Sequence, residues 1–346
     1  MRPRVVALAL ALLASACAPG LQQAQRPPAQ FSGPRLESNV FVSFDGARLG
    51  LMRWDAIGGA PWAVIVGVHG MNDYANAFHL AAPDWARRGI TTLAYDQRGF
   101  GRSPARGRWA PEALSTEDLR TIVALARARY PGAIIAVAGE SLGGAVAIEA
   151  FASNRPPAAD RLILLAPAVW GWSREPFSYT ASLWLADHLD PGWVLTPPRF
   201  VTNKIFASDN TAELIAMGRD PLMIWGARVD ALYGLVGTMQ NAWREVGAVR
   251  VPTLYQYGAK DQIIPKRPAF EAAARLPAGD RTAYYANGYH LLLRDLQAAN
   301  VWADVAAFVR DPAAALPSGA PPIPPPLAGP SADSRQAGVV TGPSGG

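Results

Sequence analysis

The sequence predicts an α/β protein with a mostly parallel central sheet, helices on both faces, and a helical segment inserted after the sixth strand. Three observations carry this. Short apolar runs alternate with helical patterns along most of the 346 residues. Some runs, such as residues 63–68 (AVIVGV), are apolar throughout, as strands buried on both sides of a parallel sheet are. Residues 133–150, AIIAVAGESLGGAVAIEA, read as strand, tight turn and Ala-rich helix in direct succession.

Taken in order, residues 39–44 and 47–54 pattern as a hairpin around Asp45-Gly46, a strong turn pair. Residues 63–68 form the next strand, and residues 74–88 fit a helix ending at Gly89. Residues 90–95 form a strand leading into Asp96-Gln97-Arg98-Gly99, where Asp96 and Arg98 are expected to pair with backbone and with each other to hold a glycine-rich turn. A helix over 115–130 is expected, capped by Ser115, with Asp118 in its first turn and Pro131-Gly132 as its stop. The strand at 134–138 and its helix follow, and then a sixth strand at 161–166. After the insertion come strands at 253–257 and 281–286 and a closing helix at 301–309. The expected organisation is a core made of residues 39–167 and 251–310, with residues 168–250 as the inserted helices.

The ends differ in composition from the core. Arg2 and Arg4 precede an apolar run, residues 5–13, too short to span a bilayer as a stable helix, so residues 1–17 read as a secretory signal. Cys17 is the one cysteine in the chain. Residues 13–17, LASAC, resemble the bacterial lipobox, which implies lipidation of Cys17 after cleavage. Ala18 follows the cysteine, and the likeness to bacterial lipoproteins then implies an outer-membrane protein facing the periplasm, held by its lipid anchor. Residues 18–38, rich in Gln, Pro and Ala, read as a tether, and residues 311–346 as a disordered Pro/Gly-rich tail. The formal charge is +5, with the basic residues scattered, so no nucleic-acid partner is expected. No Cys/His cluster calls for a metal, and no cofactor is expected.

The turn Gly139-Glu140-Ser141-Leu142-Gly143 fits G-x-S-x-G. In such a turn, between strand and helix, the chain reverses so sharply that only small residues fit two positions either side of the serine. The hydroxyl of Ser141 then stands clear, and the Leu142 N–H at the helix start can hold an oxyanion. A serine hydroxyl needs a base to take its proton. The chain has four histidines, and only His188 and His290 follow Ser141. His188 lies in the insertion beside Asp187 and Asp190 and reads as a surface residue. His290 sits in a glycine-bearing loop after a strand, as a base should in the chain order nucleophile, acid, histidine. Asp261, after the preceding strand, is the candidate acid that orients the imidazole, and Asp230 is the second choice.

These stretches, with Gly258-Ala259-Lys260-Asp261 and Gly288-Tyr289-His290-Leu291-Leu292-Leu293-Arg294-Asp295, resemble the monoacylglycerol lipase and lysophospholipase-like family of α/β-hydrolases over about residues 39–310. The resemblance implies the α/β-hydrolase fold. His69-Gly70 at a strand end is similar to the loop that supplies the second oxyanion donor in such enzymes, which implies the Met71 N–H as that donor and a bracing role for His69. Residues 69–74, HGMNDY, depart from the lipases, which usually carry a further glycine and a second histidine there. That departure bears on monoglyceride preference and leaves the triad intact.

The family carries its lid where residues 168–250 stand, and residues 210–222 resemble a segment of that lid. Six of the eleven tryptophans fall in the insertion: Trp170, Trp172, Trp184, Trp193, Trp225 and Trp243. Most are expected to pack the lid on the core and a minority to line an acyl site. The resulting expectation is a serine hydrolase cleaving carboxylic esters, acylglycerols or lysophospholipid-like molecules, through an acyl-enzyme. An acyltransferase with the same triad, or a non-catalytic lipid-binding envelope lipoprotein, are the alternatives.

Overall fold

The computed structural model describes residues 21–197 and 205–326. The expected signal segment, Cys17 and the last twenty residues lie outside the described residues.

The elements, in order, are β1 (Arg35–Leu36), β2 (Val40–Val42), β3 (Arg48–Trp54), β4 (Ala63–Val68), α1 (Ala81–Arg87), β5 (Ile90–Tyr95), α2 (Glu112–Arg129), β6 (Ile134–Glu140), α3 (Leu142–Ala152) and β7 (Arg161–Leu165). The insertion adds α4 (Phe177–Leu189), β8 (Val194–Leu195), α5 (Thr211–Arg219), β9 (Ala227–Arg228) and α6 (Val229–Glu245). The chain then returns to the core with β10 (Thr253–Gly258), α7 (Lys266–Ala273), β11 (Arg281–Tyr285) and α8 (Ala298–Arg310).

Among the described residues nine strands form one sheet, ordered β1-β2-β3-β5-β4-β6-β7-β10-β11. The first three strands are antiparallel, and β5 through β11 run parallel. In register, Val66 of β4 faces Leu93 on one side and Val137 on the other. Alternate residues of one strand enter different cores: Val64, Val66 and Val68 pack beneath α2, α3, α6 and α7, while Ala63 and Ile65 pack beneath α1 and α8. Both sides are apolar, so the period of two disappears into a continuous apolar run.

Several expectations need correction. The helix expected over 74–88 is split into a single 3₁₀ turn, Ala75–Phe78, and α1. Pro83 has no N–H to continue a helix begun at 74, but it is tolerated in the first turn of a new one. Helix α2 starts at Glu112 with Pro111 before it, so Ser115 lies inside the helix and does not cap it. Arg98 does not pair with Asp96. It is buried between Asp45 (2.9 Å) and Asp118 (2.6 Å), tying the β2–β3 turn to α2. Asp96 instead binds Arg102 (2.9 Å) and the Ala75 N–H (2.9 Å).

The two terminal segments are also more ordered than composition suggests. In the expected tether, Gln22 N–H donates to Trp109 O, Gln25 N–H donates to Asp45, and β1 joins the sheet. In the expected disordered tail, residues 311–326 lie along β11: Tyr284 N–H donates to Pro321 O (2.8 Å) and Ile323 N–H to Thr282 Oγ1 (2.9 Å).

Candidate active site

The parallel strands β4, β6, β10 and β11 deliver their C-terminal ends to one edge of the sheet, where loops of α/β proteins gather their chemistry. Strand β6 ends at Glu140. Ser141 follows with φ +52° and ψ −116°, a region that non-glycine residues rarely occupy. Its neighbours make that turn possible. A Cβ on Gly139 would lie 2.5 Å from Gly143 O, and one on Gly143 would lie 2.0 Å from Val68 O. Ser141 is fastened at both ends: its N–H donates to Leu165 O (3.0 Å), and its carbonyl accepts from Ala145 N (3.1 Å) and Ala168 N (2.9 Å). The side chain remains partly exposed.

The loop after β4 passes against the serine. A methyl built on Gly70 would sit 3.2 Å from Ser141 Cβ. His69 braces this loop: its buried ring meets Gly70 O through Nδ1 (2.7 Å) and accepts from Gln97 N–H through Nε2 (2.9 Å). Burial pushes its pKa down, as a neutral ring with one donor and one acceptor nitrogen requires. Asn72 takes a left-handed conformation (φ +64°), and its carbonyl accepts from Ile224 N–H of the insertion (3.0 Å). Met71 follows Gly70, the residue that approaches Ser141. Leu142 opens α3, where the first N–H groups have no acceptor within the helix and the helix dipole favours negative charge. Met71 and Leu142 share a small apolar cluster with Phe100, Trp109 and Val146.

On the other side of the serine strand, the loops after β10 and β11 come together. Gly258 permits this, since a Cβ there would meet Tyr289 O at 2.3 Å. Lys260 N–H donates to Gly288 O (2.9 Å), locking the two loops in register. Asp261 points its carboxylate two ways: Oδ1 accepts from Ile263 N (2.7 Å) and Ile264 N (2.9 Å), and Oδ2 receives His290 Nδ1 (2.9 Å). With Nδ1–H donating to the carboxylate, Nε2 is the basic nitrogen. Burial works against a charged imidazole at His290, but the charge and hydrogen bond of Asp261, with Glu140 behind, outweigh it, so the pKa rises above the ordinary value. Asp230 is committed elsewhere: it pairs with Arg228 at 2.6 Å in α6. His188 is exposed, its ring tilted against that of Trp184.

Sequence reasoning passed over three charged residues packed under the site, Asp73, Glu140 and Arg294. Glu140 gave a signal, since a charged residue at the end of a strand buried on both faces requires a buried partner. The tryptophans of the insertion divide evenly rather than mostly packing. Trp170, Trp172 and Trp243 are partly buried, with Trp172 against Tyr233 and Trp243 between Arg174 and Arg275. Trp184, Trp193 and Trp225 are exposed.

This geometry has relatives. The model of the family described as serine aminopeptidase, S33 (Hydrolase_4) matches residues 59–297, more than half of the chain. The chain belongs to this family. It is 25% identical over 263 residues to a monoacylglycerol lipase of Mycolicibacterium smegmatis, covering 72% of this chain and 88% of that one. It is 27% identical over 262 residues to the monoglyceride lipase of Rattus norvegicus, covering 74% and 84%. A solved soluble variant of the Saccharomyces cerevisiae monoglyceride lipase, in complex with a substrate analogue, superposes with a TM-score of 0.66 at 18% identity, covering 83% of this chain and 98% of that one. The fold is the α/β-hydrolase fold, as the motifs implied.

Proposed function

We propose that this protein is a serine hydrolase that cleaves carboxylic esters, with Ser141 as nucleophile, His290 as base and Asp261 as the acid that orients it. The observation that carries the reading is the Asp261–His290 hydrogen bond, formed on the same sheet edge that presents Ser141 on its strained turn. In this mechanism His290 Nε2 takes the proton of Ser141 as Oγ attacks the ester carbonyl. The N–H groups of Leu142 and Met71 hold the tetrahedral oxyanion. Collapse of the intermediate releases the alcohol, which receives the proton from His290, and leaves an acyl-enzyme. Water, deprotonated by His290, then attacks the acyl carbon and frees the acid and Ser141.

Acylglycerols and lysophospholipid-like esters are the proposed substrate class. The named relatives support it, and so does the insertion, which presents Phe177, Trp184, Leu189 and Trp193 to solvent, an apolar surface suited to an amphiphile. Ser141→Ala is expected to lower turnover of a p-nitrophenyl ester by on the order of 10⁴-fold or more and to abolish labelling by a fluorophosphonate probe. Unchanged turnover in that variant would exclude this mechanism. Product analysis with an added alcohol separates hydrolysis from acyl transfer.

A further inference from the structure

Arg294 lies four residues beyond His290, and only 2% of its side chain is exposed. Its Nη2 reaches Asp73 Oδ2 at 2.7 Å and Glu140 Oε2 at 2.9 Å. Glu140 is the residue immediately before Ser141. Asp73 stands two residues after Met71, and its Oδ1 accepts from Tyr74 N–H (2.8 Å), fixing the end of the oxyanion loop. Arg294 Nη1 approaches Met217 Sδ of α5 (3.6 Å), and its carbonyl accepts from Asn210 Nδ2, the residue that caps α5 (3.0 Å). One guanidinium therefore joins the base loop, the strand that carries the serine, the oxyanion loop and a helix of the insertion.

Stability alone is a weak reason for such a cluster. Removing three charges from water costs so much that apolar residues of similar volume often serve as well or better. What apolar residues cannot supply is a fixed geometry among three loops together with a charge beside the imidazole.

We propose that Arg294 is a positioning residue which, with Glu140 and Asp73, holds the base loop, the serine strand and the oxyanion loop in one register and sets the charge balance at His290. The proposal rests on the serine-hydrolase reading above. The groups that bear on the imidazole come from the loop after β10, the end of β6 and its own loop. Burial disfavours its charged form, Asp261 and Glu140 favour that form, and Arg294 opposes it. Glu140 in turn is raised by burial and by Asp73, and held down by Arg294 and His290. Arg294 is also influenced by Glu213 of α5.

The test is the pH dependence of kcat and KM for a soluble short-chain p-nitrophenyl ester, in the full chain and in Glu140→Gln, Arg294→Met and Arg294→Lys. The base must be neutral to act, so kcat/KM falls on the acid side as His290 gains its proton. Glu140→Gln removes a charge that favours the imidazolium, and its acid limb is expected at lower pH than in the wild type. Arg294→Met removes a charge that opposes the imidazolium, and its acid limb is expected at higher pH. Its kcat is expected to fall roughly tenfold to a hundredfold at little-changed KM, because the reacting groups lose their common tie. Arg294→Lys keeps the charge and is expected to return the limb to the wild-type position.

If Arg294→Met does not fold, Glu140→Gln decides alone, because the amide oxygen still accepts from Arg294. Acid limbs coinciding with the wild type's, in variants with wild-type near-ultraviolet circular dichroism, would overturn the proposal. So would shifts of the same sign in both charge-removing variants. Ser141→Ala separates the two readings. An inactive Ser141→Ala with unmoved limbs removes only the role of Arg294, whereas an active Ser141→Ala removes the serine mechanism itself.

Discussion

The two oxygens of Asp261 do different work, and that division makes the residue testable. Oδ1 accepts two backbone N–H groups and shapes its own loop, while Oδ2 alone meets His290. In Asp261→Asn the amide oxygen can keep the loop bonds, which places the amide NH₂ against His290 Nδ1. A donor there favours the tautomer with its proton on Nε2, the nitrogen that must accept one. The variant is expected to fold with a melting temperature near the wild type's and to lose roughly 10³–10⁴-fold in kcat, as the same exchange does in a well-known triad. Steady-state kinetics alongside a thermal melt checks both halves. A large loss of stability would show that the residue is structural first. The places of Ser141, Asp261 and His290 were legible because each follows closely on an apolar run, in the turn or loop after β6, β10 or β11. Arg98 was not legible in the same way: its partners Asp45 and Asp118 lie 53 and 20 residues away, and only the folded sheet brings them together. The pairing of Arg294 with Glu140, 154 residues earlier, was hidden for the same reason.

At the scale of elements, the helix behind the serine carries a conflict of its own. Ten of the eleven residues of α3 are buried, and Glu149 is one of them, only 1% exposed. Neither of its oxygens has a hydrogen-bond partner among the described residues. Asn241 on α6 is close enough to favour the ionised form somewhat, but its amide nitrogen donates to Glu112 Oε2 (3.3 Å), and burial prevails. Burial, with Glu112 and Glu245 adding to it, pushes the Glu149 pKa up to about 9 from an ordinary 4.5. The folded protein therefore keeps a proton at neutral pH that the unfolded chain gives up. Stability falls as pH rises from about 4.5 toward about 9, because the folded state binds more protons across that window. Glu149→Gln removes the penalty and is expected to raise stability at pH 7 by roughly 2–3 kcal/mol, with little effect near pH 4.5. Urea unfolding at pH 5 and pH 8 measures it: the difference between the two should shrink in the variant. An Ala-rich helix after the turn could be read from sequence. That its polar residue faces α6 could not, because α3 is apolar on nearly every side and leaves no stripe to mark which face meets which neighbour.

At the scale of the molecule, the expected boundaries failed at the ends, and for one reason. Segments rich in proline show no period of two or 3.6, so residues 311–326 read as unstructured, yet they need no regular element to be held. They bind β11, the edge strand, by one backbone bond from Tyr284 N–H and one bond to the side-chain hydroxyl of Thr282, and proline is compatible with an edge because it need not donate to a further strand. Leu316 enters the core beneath α1 and α8, and Ile323 enters the core on the opposite face of the sheet. Ser318 fastens the crossing through Asp304 of α8 (2.5 Å). The segment thus wraps the edge of the sheet and adds a residue to each core, which makes it part of the folded domain. Leu316→Ala and Ile323→Ala are each expected to lower stability by about 2 kcal/mol. Their effects should add in the double variant, because the two side chains lie on opposite faces and share no neighbours among the core residues. Truncation after Asp311 removes both anchors and uncovers the edge of β11, and it is expected to cost more than the double variant and to promote association through that edge. Urea unfolding of the four proteins, with light scattering, tests this. A truncated chain as stable and as monomeric as the full one would return the segment to the status of a passive tail. Fluorophosphonate labelling of the folded fraction should proceed at the wild-type rate in both point variants, since the segment supports the sheet and contributes nothing to the loops that hold Ser141.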